Sequence, residues 1–157
     1  MKVQLWFIGK TSFPYLEQGM QLYQKRLERY LSFDSILIPD VKKGNKLPAD
    51  QLKIKEGEAV LKKVISSDYL VLLDEQGKEY SSVQFSKFME NKLQLGNRRL
   101  IFLIGGAYGF SENIYQRADH KITLSKMTFS HQMIRLFFLE QLFRAMSILR
   151  GEPYHNE

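Results

Sequence analysis

The chain predicts an α/β fold, a mainly parallel sheet sandwiched by helices, and three observations carry that prediction. Residues 69–73 and 100–104 are apolar runs with no polar interruption, which fits strands buried on both faces by helices. Strand-like and helix-like segments alternate nearly throughout, as in layered α/β proteins. Both apolar runs end in turn-forming residues, Asp74-Glu75-Gln76-Gly77-Lys78 and Gly105-Gly106-Ala107-Tyr108-Gly109. Loops at the carboxyl ends of such strands are where open α/β sheets collect ligands.

Val3, Leu5 and Phe7 alternate with Gln4 and Trp6, so residues 2–8 form the first strand. Ser12 and Pro14 mark a helix start, and helical spacing of Tyr15, Met20, Tyr23, Leu27 and Tyr30 carries it to 31. Residues 33–38 form a strand closed by Pro39, followed by a basic loop with Lys42, Lys43 and Lys46. A helix over 49–66 turns Leu52, Val60 and Val64 inward and places Lys53, Lys55, Glu56 and Glu58 on its wet side. After the 69–73 strand and its turn-rich loop, Ser81 or Ser82 caps a helix to 95 that Gly96 and Asn97 stop. Strand 99–104, a short helix capped by Ser111, strand 121–124 and a helix over 131–150 capped by Ser130 complete the order. The final helix is apolar on too many sides for one sheet face to cover, which predicts a homodimer.

At 157 residues the chain reads as a single domain, 1–157, long enough to bury a core without staples. The absence of cysteine excludes disulfides, thiolate metal sites and a thiol nucleophile, and suits a reducing cytoplasm. His120, His131 and His155 stand 11 and 24 positions apart, a spacing that supports no metal site. The apolar opening is too short for a signal peptide and no run approaches a membrane span. A net charge of +6 and a pI near 9.4 favour an acidic partner, nucleic acid first.

The glycines follow the pattern G-G-x-x-G, not the dinucleotide fingerprint G-x-G-x-x-G, and no acid stands at 123–126. Neither a phosphate-binding loop nor a nucleophile elbow is present, which leaves hydrolase and kinase readings without support. The glycine loop and the segment Ser125 to Ser130 instead mark a small-molecule site. Pro153-Tyr154-His155 is an unusual tail, because an aromatic and an imidazole at a terminus imply that it folds onto something.

Taken together, the glycine loop after a buried strand, Leu124-Ser125-Lys126-Met127-Thr128-Phe129-x-His131-Gln132, the Arg135 and Arg144 spacing, Lys55-Glu56-Gly57-Glu58 and the closing Pro-Tyr-His resemble the ribosomal large-subunit RNA methyltransferase H family. The resemblance spans the whole chain. It implies a SPOUT fold with a C-terminal trefoil knot, a homodimer, and methyl transfer from S-adenosyl-L-methionine to N3 of a pseudouridine in large-subunit (23S) rRNA. It also carries the cofactor positions onto Leu73, Gly106, Ser125, Lys126, Met127, Thr128, Phe129 and Ser130. Where the family has proline before the histidine, this chain has Ser130. For catalysis the candidates are His155 as general base, Tyr154 to stack on or orient the target base, and Arg135 to hold a phosphate or brace the dimer. Lys25, Arg26, Arg29 and the Lys42, Lys43, Lys46 loop are candidate phosphate contacts. The competing readings are a non-catalytic RNA-binding module of the ribosome and an enzyme of the same class acting on another RNA or a small molecule.

Overall fold

The computed structural model describes residues 1–96 and 98–156; Asn97, expected to help stop a helix, and Glu157, the end of the tail, lie outside the described residues. The elements run β1 (Lys2–Ile8), α1 (Pro14–Leu27), β2 (Ser32–Ile38), a 3-10 turn (Gly44–Lys46), α2 (Ala49–Leu61), β3 (Tyr69–Glu79), α3 (Ser82–Leu93), β4 (Arg99–Ile104), α4 (Glu112–Arg117), β5 (His120–Thr123) and α5 (Met133–Leu149). The five strands are all parallel in the order β2-β1-β4-β3-β5.

Alternation along the central strands divides the core in two. Val3, Leu5, Leu100 and Phe102 face α1, α3 and α5, whereas Trp6, Ile8, Ile101 and Leu103 face α2 and α4. Helix α5 packs against both α1 and α3. That double contact buries Phe138, Leu139, Leu142 and Phe143, so neighbouring helices cover most of its broad apolar surface. Met133 and Phe137 remain exposed beside Phe129, whose ring centroid lies 5.1 Å from that of Phe137.

Several sequence expectations change. Helix α1 ends at Leu27 rather than 31, and its N-cap is Phe13; the Ser12 N–H donates to Gln132 Oε1 at 2.7 Å. Residues 74–79 belong to β3 rather than to a free loop. The register slips between Leu73 and Lys78, so that both pair with Ile122. Gly77 makes the slip possible, because a Cβ there would stand 2.5 Å from the Ile122 carbonyl carbon. Ser81 forms a full capping box with Gln84. Glu56 is buried, not wet.

The amino edge of the sheet is held by one carboxylate. Asp68 Oδ1 and Oδ2 accept from Arg99 Nε and Nη2 at 2.7 and 2.6 Å, and Oδ2 also accepts from the Ile65 N–H at 2.8 Å. Arg117 donates to the carbonyls of Ile65 and Asp68, tying the end of α4 to the same turn. Burial raises the Asp68 pKa, but the hydrogen bonds from Arg99 and Ile65 and the charges of Arg99 and Arg117 outweigh it and hold the carboxyl below its ordinary value. A depressed carboxyl contributes stability above its unfolded pKa and loses it as pH falls through the folded one. Asp68→Asn is therefore expected to cost about 3 kcal/mol at neutral pH. In denaturant melts the gap to wild type should close as the pH is lowered from about 4; a gap independent of pH would contradict the assignment.

Candidate active site

The register slip of β3 and the ends of β4 and β5 meet around one cavity of about 320 Å³, within the range of small-molecule sites. The slip in β3 supplies Leu73 and Asp74, the end of β4 supplies the glycine loop, and the segment after β5 crosses in front of both. A larger depression of about 790 Å³ on the outer side of the β3 slip is broader and more open. The glycine loop is tight: Gly109 N–H donates to the Gly106 carbonyl at 3.1 Å, and Gly109 has φ +84, a left-handed conformation that favours glycine. Gly106 is required for a different reason. A Cβ on it would lie 2.6 Å from Glu56 Oε2, so the Glu56 carboxyl fills the space a side chain would need.

The crossing segment is folded by its own hydroxyls. Thr123 Oγ1 donates to the Ser125 carbonyl at 2.6 Å, Ser125 Oγ accepts from Met127 N–H at 3.0 Å, and Ser130 Oγ accepts from Met133 N–H at 3.0 Å. The N-cap of α5 is Gln132 rather than Ser130; the serine, standing where proline was expected by resemblance, instead takes the first N–H of the helix from two residues further back. Leu73, Gly106, Ser125, Met127, Thr128 and Phe129 all line the cavity. Lys126 points outward, 87% exposed, with Nζ 3.9 Å from Glu79 Oε1, and Ser130 stands at the helix start outside the lining. The walls also include residues that the sequence did not single out as site residues: Tyr108, Tyr115, Ile134 and His131. Burial and then a hydrogen bond to Asp74 push the Tyr115 phenol up, so it stays protonated. Burial, followed by the charge of Arg135, pulls His131 down against the opposing pull of Asp40, which favours neutral imidazole.

Arg135 is wholly buried. Its guanidinium donates to the carbonyls of Ile8 at 2.8 Å, Gly9 at 2.9 Å and His131 at 3.0 Å, and to Thr11 Oγ1 at 3.1 Å. Burial lowers its pKa to about 10, with Asp40 and Glu17 pulling the other way, and it remains a cation at neutral pH. In this position Arg135 braces the β1–α1 loop to the start of α5 and presents no surface to a phosphate. Tyr154 and His155 lie elsewhere, on the side of α5 that faces α1. The Tyr154 hydroxyl donates to Glu140 Oε1 at 3.0 Å and stands 3.2 Å from the Tyr23 hydroxyl. Its ring meets Phe143 edge-on at 4.7 Å, while His155 Nδ1 is 3.1 Å from Arg144 Nη1. Neither residue lines the cavity.

A parallel α/β sheet with a loop-built cavity at its carboxyl edge, closed by a segment that runs into the last helix, is the arrangement in which open α/β proteins hold ligands. Residues 1–155 match the family model described as "Predicted SPOUT methyltransferase", and the chain belongs to that family, whose C-terminal part carries the trefoil knot. It is 54% identical over 156 residues to a protein of Christiangramia forsetii, covering 99% of each chain. It is also 53% and 50% identical over 157 residues to proteins of Parabacteroides distasonis and Porphyromonas gingivalis, covering all of each chain. All three are named ribosomal RNA large subunit methyltransferase H.

Replacing Arg135 by lysine leaves one ammonium to serve acceptors on two segments. Arg135→Lys is expected to lower stability by about 3 kcal/mol in chemical denaturation, because a point charge cannot span the fork and leaves buried carbonyls unpaired. A loss under about 0.5 kcal/mol, the range of ordinary surface changes, would refute the bracing role.

Proposed function

We propose that this chain is an S-adenosylmethionine-dependent methyltransferase of large-subunit ribosomal RNA, methylating N3 of a pseudouridine as a cytoplasmic homodimer. The observation that carries the reading is the cavity between the β3 slip and the ends of β4 and β5, floored by Gly106 and walled by apolar side chains. An adenosyl group fits these donors and walls: Leu73, Ile122, Leu124 and Ile134 offer an apolar slot, and the backbone of the 105–109 and 124–129 loops offers amides and carbonyls. When bound, the cofactor supplies a methyl group on a cationic sulfur.

The protein's part is chiefly positioning. The N3–H of the target lies between two carbonyls, so its proton leaves readily once a nearby acceptor is present. His155 is the proposed acceptor and Tyr154 the group that orients the base. Because both sit away from their own protomer's cavity, they act on the partner's cavity across a two-fold axis. The exposed Phe129, Met133 and Phe137 beside the cavity mouth are the apolar surface such a dimer buries. Arg144 and Glu140 hold the tail in place through their ion pair and the bonds to His155 and Tyr154. Arg26, stacked over Tyr23 and Phe143 in the same groove, joins Lys25, Arg29 and the Lys42, Lys43, Lys46 loop as a phosphate contact.

Calorimetric titration with S-adenosylmethionine should give micromolar-range binding that Gly106→Val abolishes, since the new side chain collides with Glu56. A folded dimer that gives no heat would overturn the cofactor assignment. In methylation assays on ribosomal substrates, His155→Ala should lower turnover about 100-fold, the low end for a lost general base. Its cofactor affinity should stay unchanged, and unchanged turnover would remove His155 from the mechanism.

A further inference from the structure

Two neighbouring strand ends each set a glycine against an acid. At the end of β1, a Cβ on Gly9 would meet the Asp40 carboxylate at 2.6 Å; at the end of β4, a Cβ on Gly106 would meet that of Glu56, also at 2.6 Å. Asp40 is exposed to water, but Glu56 is only 7% exposed, and no hydrogen bond among the described residues reaches its Oε1. A buried carboxyl without a donor is costly, and a fold that needed only to fill this space would do so with an apolar side chain. Nor is the carboxyl neutralised by the basic groups around it. Lys53, one helical turn before it on α2, has its Nζ 3.8 Å from Asp50 Oδ1, and Arg135 is spent on the β1–α1 loop.

We infer that Glu56 is the buried counter-charge for a cation lodged on the Gly106 loop, the sulfonium of S-adenosylmethionine, and that binding of that cation favours its ionised form. The inference rests on the cofactor reading above. It makes Glu56 a positioning residue that acts through the backbone of Gly106, with no contact to the reacting methyl group. The groups around it set the balance. Desolvation and the charge of Asp40 both raise the Glu56 carboxyl, so it holds its proton to higher pH than an ordinary glutamate does. Lys53 on α2 and Ser111 at the start of α4 line the same small cavity as Glu56, and His131 and Arg135 face Asp40 from the α5 side. A positive sulfur placed beyond Gly106 opposes that shift, because an opposite charge nearby favours ionisation. The one bond broken is the O–H of Glu56, and its proton passes to the buffer. After methyl transfer the sulfide product carries no charge on sulfur, the carboxyl recovers a proton, and the product is held less tightly than the cofactor.

Calorimetry of the full-length protein with S-adenosylmethionine and with S-adenosylhomocysteine, in buffers of different ionisation enthalpy, reads the proton count directly. Wild type should release a proton fraction on binding the sulfonium and less on binding the sulfide. Glu56→Gln, which keeps the shape of the neutral acid, should release none of it and bind the sulfonium about ten-fold more weakly, equivalent to one pKa unit of lost coupling. Its affinity for the sulfide should be nearly unchanged. Equal proton release by wild type and variant overturns the role of Glu56 while leaving the cofactor site intact. An absence of binding by both overturns the cofactor reading itself. Infrared difference spectra of wild type alone do not depend on the variant's folding: at a mildly acidic pH where the free protein shows a protonated-carboxyl band, adding the sulfonium should diminish that band, and an unchanged band overturns the inference.

Discussion

The Arg135 guanidinium is the interaction on which the arrangement of this protein depends. It joins the last carbonyls of β1 to the first turn of α5, segments separated by more than a hundred residues, and it does so from a position with no exposed surface. Gln132 adds a second clamp, accepting from the Ser12 N–H and donating to the Lys10 carbonyl. With both in place, the segment after β5 must cross the carboxyl edge to reach β1 from the far side of the sheet. That crossing forms one wall of the cavity, and the glycine loop it passes forms the floor.

The brace also explains why so much polar chemistry is concentrated at one edge. Carbonyls at strand ends have no ladder partner and require donors. Arg135 supplies several at once and remains charged despite its burial, since even a lowered pKa of about 10 lies well above neutrality. Burial and then that fixed charge both favour a neutral ring at His131. Helix α5 can then devote its middle turns to packing, with Phe138 against Phe102 at 4.7 Å and Leu136 against the bare backbone at Gly19.

The layers of the fold were legible because apolar runs and glycine positions report local geometry directly. β1, β4 and a serine cap at 81 or 82 follow from periodicity and residue type alone. What escaped depends on distant partners. The polar residues 74–79 look like a loop until Ile122 lies beside Gly77, and Glu56 looks solvated among lysines until Gly106 leaves room for it. Arg135 reads as a phosphate contact or a brace of the dimer, and only the carbonyls of Ile8 and Gly9 reveal its place. Tyr154 and His155 were recognised as a folded tail, yet the face they occupy follows from Glu140, Arg144 and Tyr23, which no spacing rule connects to them.

The same long-range brace governs how the chain reaches this state. Contacts between residues 126 positions apart impose a large loop-closure entropy before they return any stability, and β1 must already lie beside β4 for its terminal carbonyls to be in place. The guanidinium can dock only once the segment after β5 lies across the carboxyl edge and brings the first turn of α5 to the end of β1. Refolding should accordingly show its slowest phase at this step, long after the sheet has formed, and the mature protein should release the segment only when the whole edge opens.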